Sequence, residues 1–453
     1  KDNMVELAEK PHKMEGLSDF HEAAWVHKRN GIYYLSYSDN VPHPNGNRMH
    51  YATSTSPLGP WTYRGVILEA TGSGTSHGSI VEYKEEWYLF YHDCSISGRG
   101  NLRSICVDKL YYNPDGSIQL VKQTKGVFFL RVEDTDQKRE VENGVTGIIE
   151  SLKDFGLTPD EGMTSETEEI GNYGPYKQSL RKEIYQAYAK HLLAQGKAYP
   201  CFASAEELDE MRAKQEAAKV RPGYYGVWAK YRNLPVEDAA EKIKNGEPYI
   251  IRLKSPGRED RKIKHKDLIK GNVDFPENDQ DIVIIKADGL PTYHFAHAID
   301  DHLMHTTHVI RGDEWLSSVP LHLQLFQMLE FKAPKYAHIA PIMKEDEGGK
   351  RKLSKRKDPE AAVSYYTEIG VPKEAVIEYL LNIANSNFEL WRKQNPMASI
   401  DEFELQLNKM SVSGALFDIV KILDISKTVI SKYSKEEIYE EAVKWAKVYN
   451  KEL

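Results

Sequence analysis

The sequence predicts a multidomain chain: part of an all-β propeller, then an α/β core, then a helical region. Three observations predict it. Over residues 1–121, short aromatic runs alternate with turn clusters. From about residue 128, apolar residues recur at helical spacing between short buried-strand candidates. After about residue 368 the pattern is nearly all helical. At 453 residues the chain is long enough for two or three domains.

Composition narrows the function classes. Charged residues are 28% and hydrophobic ones 40%, as in water-soluble globular chains. With 7 Trp, 27 Tyr and 13 Phe, a disordered chain is excluded. No apolar run approaches a membrane span and no signal segment follows Lys1, so no membrane partner is expected. The net charge of −8 argues against a wholly basic nucleic-acid binder and leaves a local basic face open. Three cysteines (Cys94, Cys106, Cys201) exclude a disulfide scaffold and point to a reducing, cytoplasmic setting. A first residue that is Lys rather than Met points to a fragment or a processed chain.

The β-segment contains a repeat. Tyr34-Leu35-Ser36-Tyr37 returns as Tyr88-Leu89-Phe90-Tyr91, 54 residues later. A repeat of that length made only of strands suggests propeller blades, two or three of them here. The alternative is two unrelated hairpins. Residues 122–127 join the β-segment to the second segment, with no Gly/Ser or Pro-rich linker.

In the second segment, Val141, Val145, Ile148, Ile149, Leu152 and Phe155 mark one helical stripe. Ile184–Leu193 predicts another helix, with Gly196 placed to end it. Tyr249–Leu253, Ile282–Ile285 and His308–Ile310 are buried-strand candidates. Strands alternating with helices predict an α/β core.

Five segments stand in order here: Leu130–Asp136, Gly174–Arg181, Pro291–Met304, Val309–Trp315 and Lys352–Arg356. Together they resemble the bacterial glutamyl-tRNA synthetases, which are class I enzymes, over about residues 127–453. The resemblance implies a Rossmann-like catalytic core at 128–367 and an α-helical stem-contact and anticodon-binding region at 368–453. It also implies ATP with Mg²⁺, L-glutamate and tRNA(Glu) as partners.

The residues bear their implied roles well. Residues 350–357 carry six basic side chains, and such a loop suits a pyrophosphate gaining charge as it leaves ATP. Alone, it reads rather as a solvated basic loop or an RNA-facing patch. By resemblance Lys355 stabilises the adenylation transition state and Lys352 assists. Arg311 closes an apolar strand, where α/β sheets place ligands, and its planar guanidinium suits a carboxylate. Its plain alternative is a surface ion pair. The resemblance makes Arg311 the glutamate-binding cation and sets Glu314 and Trp315 against ATP. It gives Glu133 the substrate ammonium and brings Tyr293 and His297 to the glutamate. Asp300 and Asp301 read either as neighbours of the tRNA acceptor end or as a helix-start carboxylate pair. Cys201-Phe202-Ala203 offers a single thiol where some relatives hold zinc, so no metal is expected in this part.

In the first segment, Phe20–Val26, Tyr51–Trp61, Ser76–Ile80, Arg103–Asp108 and Tyr111–Gly116 resemble glycoside hydrolase family 43 over about residues 10–121. That family consists of five-bladed propellers that cleave arabino- or xylo-oligosaccharides with inversion. The resemblance makes Glu22 the general acid, and Trp25 is a neighbour suited to desolvating it. It puts His77 and Arg103 at the sugar, or His77 near a water-coordinated calcium.

Both resemblances are incomplete, and the chain looks like a chimera of two truncated proteins. The hydrolase family takes its general base from blades that do not appear in residues 1–121. The synthetase family begins with a strand and a phosphate-contacting HIGH-type helix start, and nothing before Leu130 matches them; His43-Pro44-Asn45-Gly46 lacks the spacing. The helical region is expected to stop at Leu453 short of its full extent. Three readings result: a glutamate–tRNA ligase homologue, an inverting glycosidase, or a non-functional fusion.

Overall fold

The computed structural model describes residues 13–41, 46–73, 75–94, 103–123, 126–136, 144–354 and 356–449. The chain divides into two compact units, Lys1–Val127 and Phe128–Leu453.

The aromatic runs of the first unit fold as antiparallel meanders. Strands β1 (Phe20–Arg29), β2 (Ile32–Asp39), β3 (Met49–Ser54) and β4 (Thr62–Leu68) pair in chain order. Strands β5 (Ser79–Tyr83), β6 (Glu86–Asp93) and β7 (Ser104–Leu110) form a second sheet. The repeated aromatic run is the same piece of each sheet, the strand after the first tight turn. That turn is Asn30-Gly31 in one sheet (φ 50° and 81°) and Lys84-Glu85 in the other (φ 50° and 67°). Both have the two positive φ values of a two-residue hairpin, and only the first spends a glycine on it. Tyr34, Tyr51, Ile67, Ile80, Leu89 and Tyr91 share one core between the sheets. No described strand closes the sheets into a ring.

His27 lies inside this aromatic core. Its ring stacks on Tyr34 at 4.9 Å and its Nε2 meets the Tyr112 hydroxyl at 2.5 Å. Burial, helped by Arg29, pushes its pKa down from 6.5 to about 4. The unfolded chain therefore takes up a proton between those values and the folded one does not, so stability falls as pH drops from 6.5 towards 4. The expected loss is about 3 kcal/mol. It is checked by urea unfolding of the first unit at pH 7 and pH 4, beside a His27→Gln variant that should lose this part of the slope.

The second unit opens with a small sheet. Strand β8 (Phe129–Leu130) pairs parallel with β9 (Glu161–Met163), and β9 antiparallel with β10 (Glu169–Ile170). Helix α1 (Gly144–Asp154) connects β8 to β9 and buries Val145; the start of its stripe, Val141, lies outside the described residues. Helix α2 (Lys182–Ala194) ends at Gln195, and Gly196 follows at φ 66°, as its sequence predicts.

Strand β11 (Ala198–Cys201) leads to α3 (Ala205–Ala217), started by a Ser204–Glu207 capping box, and to α4 (Val236–Lys244). Next come β12 (Ile250–Leu253), a β13 (Lys262–Asp267) and β14 (Gly271–Pro276) hairpin, and β15 (Val283–Ile285). Strands β11, β12 and β15 pair antiparallel. Helix α5 (Tyr293–Leu303) then precedes β16 (His308–Gly312), α6 (Val319–Met328) and β17 (Lys335–Ile339). Strands β16 and β17 are parallel, because a helix carries the chain from one to the next. The core thus divides into small sheets, covered by Tyr185, Leu192, Phe295, Ile299, Leu325 and Phe326.

A hairpin of β18 (Met343–Asp346) and β19 (Gly349–Lys352) carries the basic loop. Helices α7 (Val363–Glu368), α8 (Lys373–Ala384), α9 (Phe388–Gln394), α10 (Ile419–Ile430) and α11 (Lys435–Tyr449) come after it. Tyr366, Val371, Val376, Tyr379, Ile422 and Val429 form their core. The segment before α10 returns to β18, with Met343 N–H on Ala415 O at 2.8 Å. Among the described residues no helix is long and apolar enough to cross a membrane.

Candidate functional site

The site of the second unit grows from the parallel pair. Arg311 stands near the end of β16, directly opposite His338 on β17. Its Nε–H donates to His338 Nε2 at 3.0 Å, and both terminal nitrogens donate to His322 Nδ1 at 3.2 Å. One of them also reaches the Trp315 carbonyl at 3.4 Å, and the guanidinium lies 4.8 Å over the Tyr336 ring. Arg311 is therefore a clamped cation, not a surface ion pair. Burial and the nearby Arg311 charge hold the His294 pKa below the usual range, so that imidazole is neutral here.

Tyr293 opens α5 with its ring 4.5 Å from Trp315 and stacked over His297 at 5.8 Å. Burial pushes the Tyr293 phenol up, Glu133 adds to that and Arg311 opposes it. His297 is deep beneath it, with Nε2 at 3.2 Å from the Tyr336 hydroxyl and Nδ1 at 3.2 Å from Asp301.

Glu133 follows β8 and accepts from Arg131 Nη2 at 2.9 Å, while its side chain stays 34% exposed. The Arg131 side chain is only 9% exposed, and it also donates to Asp301 at 2.9 Å. Burial opposes its charge, and Asp301, Glu133 and Asp300 outweigh that.

Asp300 and Asp301 correct both sequence readings. They sit late in α5, not at its start, and are 0% and 3% exposed, so neither faces an RNA. Asp300 accepts from Arg181 Nε at 2.8 Å, Gln178 Nε2 at 2.9 Å and Tyr185 OH at 2.7 Å. These are structural carboxylates that neutralise buried arginines.

Beyond β16, Gly312 leaves room for the Glu314 carboxylate to fold back; a Cβ there would collide with it. Lys352 Nζ donates to Glu314 Oε1 at 2.8 Å and pulls the Glu314 pKa down. An open cleft of about 710 Å³ runs beside Lys352, lined also by Ile342, Leu353, Ser354, Arg356 and Ala361. Of the six basic residues, Arg351 is already engaged. It grips Asp358 with two bonds of 2.6 and 2.8 Å, and Asp358 accepts the Ser354 N–H at 2.9 Å. Lys355 lies outside the described residues.

In the first unit, β1 carries register shifts on both sides of Glu22, and Ala23 has φ 63°. Such a bulge re-aims a side chain. Glu22 Oε1 meets His77 Nε2 at 3.3 Å, although 55 residues separate them. Arg103 donates to Thr75 Oγ1 at 3.0 Å and to His92 Nε2 at 3.2 Å, beside His77. Trp25 instead gives its indole N–H to Ile80 O at 3.0 Å. His43, Pro44 and Asn45 lie outside the described residues.

No group of three or more His, Cys, Asp or Glu side chains gathers to hold a metal among the described residues. Sequence reasoning missed Asp267, His294, His322, Tyr336 and His338. The one signal was a histidine inside the apolar run Tyr336-Ala337-His338-Ile339.

Residues 117–424 match the family "tRNA synthetases class I (E and Q), catalytic domain", and residues 3–118 match "Glycosyl hydrolases family 43". The glutamate–tRNA ligase of Clostridium perfringens (strain 13 / Type A) is 58% identical over 335 residues, covering 74% of this chain and 61% of its own length. That of Acetivibrio thermocellus is 52% identical over 376 residues, with 80% and 69% covered. The crystal structure of a glutamate tRNA ligase from Elizabethkingia meningosepticum, in complex with its amino acid, is 35% identical. It aligns with a TM-score of 0.62 over 72% of this chain and 68% of that one. The chain spans about three fifths of the length of the first curated relatives it matches.

Proposed function

The chain belongs to the class I tRNA synthetases of the glutamate and glutamine type, and we propose that residues 128–453 are the larger part of a glutamate–tRNA ligase. The observation that carries this reading is the Arg311 cation, clamped by His338 and His322 and bonded to the carbonyl of Trp315, whose ring packs on Tyr293, together with a Glu133 carboxylate left 34% exposed. An α-amino acid with an acidic side chain needs that pair of opposite charges. Glu133 takes the ammonium, Arg311 takes a carboxylate, and Tyr293 over His297 forms the floor.

In the reaction, a glutamate α-carboxylate oxygen attacks the α-phosphorus of ATP. The bond to pyrophosphate breaks, and pyrophosphate leaves with its electron pair. A terminal ribose hydroxyl of tRNA(Glu) then attacks the activated carbonyl, and AMP leaves. ATP would enter as its Mg²⁺ complex, the cation counted as part of the substrate. Glu314 and Trp315 line the nucleotide, and Lys352 with Lys355 meets the departing charge. We read β16–α6–β17 as a Rossmann-like crossover, 128–367 as the catalytic core and 368–453 as the stem-contact and anticodon-binding region. The cytoplasm is the compartment this reading implies.

Binding tests it without turnover. A non-hydrolysable glutamyl-adenylate analogue is expected to raise the unfolding temperature of the chain. Arg311→Ala should weaken that analogue by about 10- to 100-fold, the worth of a hydrogen bond to a charged group. Equal binding by both proteins would sink the reading.

A second reading attaches to residues 1–121, because Glu22 and His77 are brought together from distant positions. There Glu22 is the general acid of an inverting arabinosidase or xylosidase, with His77 and Arg103 at an arabino- or xylo-oligosaccharide. Inversion also needs a base about 6.5–9.5 Å from the acid, and this reading takes that base from outside residues 1–121.

A further inference from the structure

Arg311 is held by two imidazoles, and one of them ends on a carboxylate. His338 Nδ1–H donates to Asp267 Oδ2 at 2.6 Å. Asp267 closes β13 and is 1% exposed; His338 is 0% exposed. The other carboxylate oxygen, Oδ1, accepts backbone N–H groups from Ile269 and Lys270 at 2.9 Å each, and from His338 at 3.3 Å. The carboxylate therefore cannot turn. Burial opposes its charge, but the His338 bond and these backbone donors hold its pKa below the usual range.

The tautomers are set by donor counting. Arginine only donates, so His338 Nε2 must be bare to accept the Arg311 Nε–H. Its proton then sits on Nδ1, facing Asp267. His322 has the opposite form: Nδ1 accepts from Arg311, and Nε2–H donates to His294 Nδ1 at 2.9 Å. Of these two imidazoles, only His338 is also held by a carboxylate.

We propose that Asp267 is a positioning residue, which selects the His338 tautomer and through it sets the orientation of the Arg311 guanidinium. The role as an aid to carboxylate binding rests on the ligase reading; the relay itself does not. Asp267→Asn is the informative substitution, because it is nearly isosteric. Its Oδ1 would stay with the three backbone N–H donors, so its amide N–H₂ would face His338 Nδ1. That forces the proton onto Nε2, where it meets the Arg311 Nε–H head on.

The test is ¹⁵N NMR of the full chain labelled at histidine and arginine, with His338 assigned by its absence from a His338→Gln variant. The wild type is expected to show His338 as the Nδ1–H tautomer and a slowly exchanging Arg311 Nε–H. In Asp267→Asn, His338 should change to Nε2–H and the Arg311 Nε–H should exchange about 10-fold faster or more. A wild-type Nε2–H tautomer overturns the proposal even if the variant fails to fold. An unchanged Arg311 signal in a folded variant overturns it too. L-Glutamate, with L-glutamine as control, is then added to the wild type. No glutamate-specific shift at Arg311 defeats the ligase reading while leaving the relay standing.

Discussion

Asp300→Ala is expected to destabilise the second unit by about 3–5 kcal/mol, the cost of breaking a buried pair from one side. Three groups lose their acceptor at once: Arg181 Nε, Gln178 Nε2 and the Tyr185 hydroxyl. Arg181 is the gravest, because its side chain is 2% exposed and, among the described residues, no other carboxylate stands at that distance. Its Nη1 keeps the Tyr173 and Pro175 carbonyls at 3.1 and 3.0 Å, which dipoles cannot turn into charge compensation. Amide hydrogen exchange of α2 and α5 in the full chain reads the loss directly, since both helices bury faces in the same core. Asp300→Asn should lose less, because it keeps one acceptor oxygen. A shift under about 1 kcal/mol would place Asp300 among ordinary surface-type pairs, and the RNA-facing reading would return.

Asp300 also shows where a single sequence stops being legible. Short-range pattern is readable: Ile184–Leu193 and Gly196 mark α2 and its end, and Val309–Arg311 marks the tip of β16. Arg311 lies on β16 with Glu314 and Trp315 just beyond it, whereas Tyr293 opens α5 and Lys352 ends β19, and packing across the chain sets them against Trp315 and Glu314. Pairing across distance is not readable. Asp300 meets Gln178 122 residues away, and Asp267 meets His338 71 residues away. Nothing in the local spacing says which of two adjacent aspartates turns to Arg181 and which to Arg131. The division of the core is hidden for the same reason, since apolar runs of equal quality become antiparallel β12–β15 and parallel β16–β17. The bulge at Ala23 is unannounced, because no glycine marks its positive φ.

The second large effect is an activity that should be missing. The purified 453-residue chain is expected to show glutamate-dependent ATP–pyrophosphate exchange at least ~10³-fold below an intact ligase. Removing one preorganised donor from a transition state costs about 10²–10³ in rate, and a phosphate-contacting helix start contributes several N–H groups at once. In the proposed reading, Glu314, Trp315 and the Lys352 cleft supply one side of an ATP site. The segment before Leu130 reads as β-meander and has no HIGH-type start to supply the other side. The same logic applies to residues 1–121, where an acid candidate stands without a base, so aryl arabinosides and xylosides should stay intact. Binding of the adenylate analogue separates a half-built site from a wrong one, because in the proposed reading Arg311 and Glu133 hold the amino acid without help from the phosphates. Robust exchange that Lys355→Ala abolishes would mean that the phosphates are gripped some other way. The neighbourhood of Lys352 and Arg356 would then be the place to look, since Arg351 is spent on Asp358.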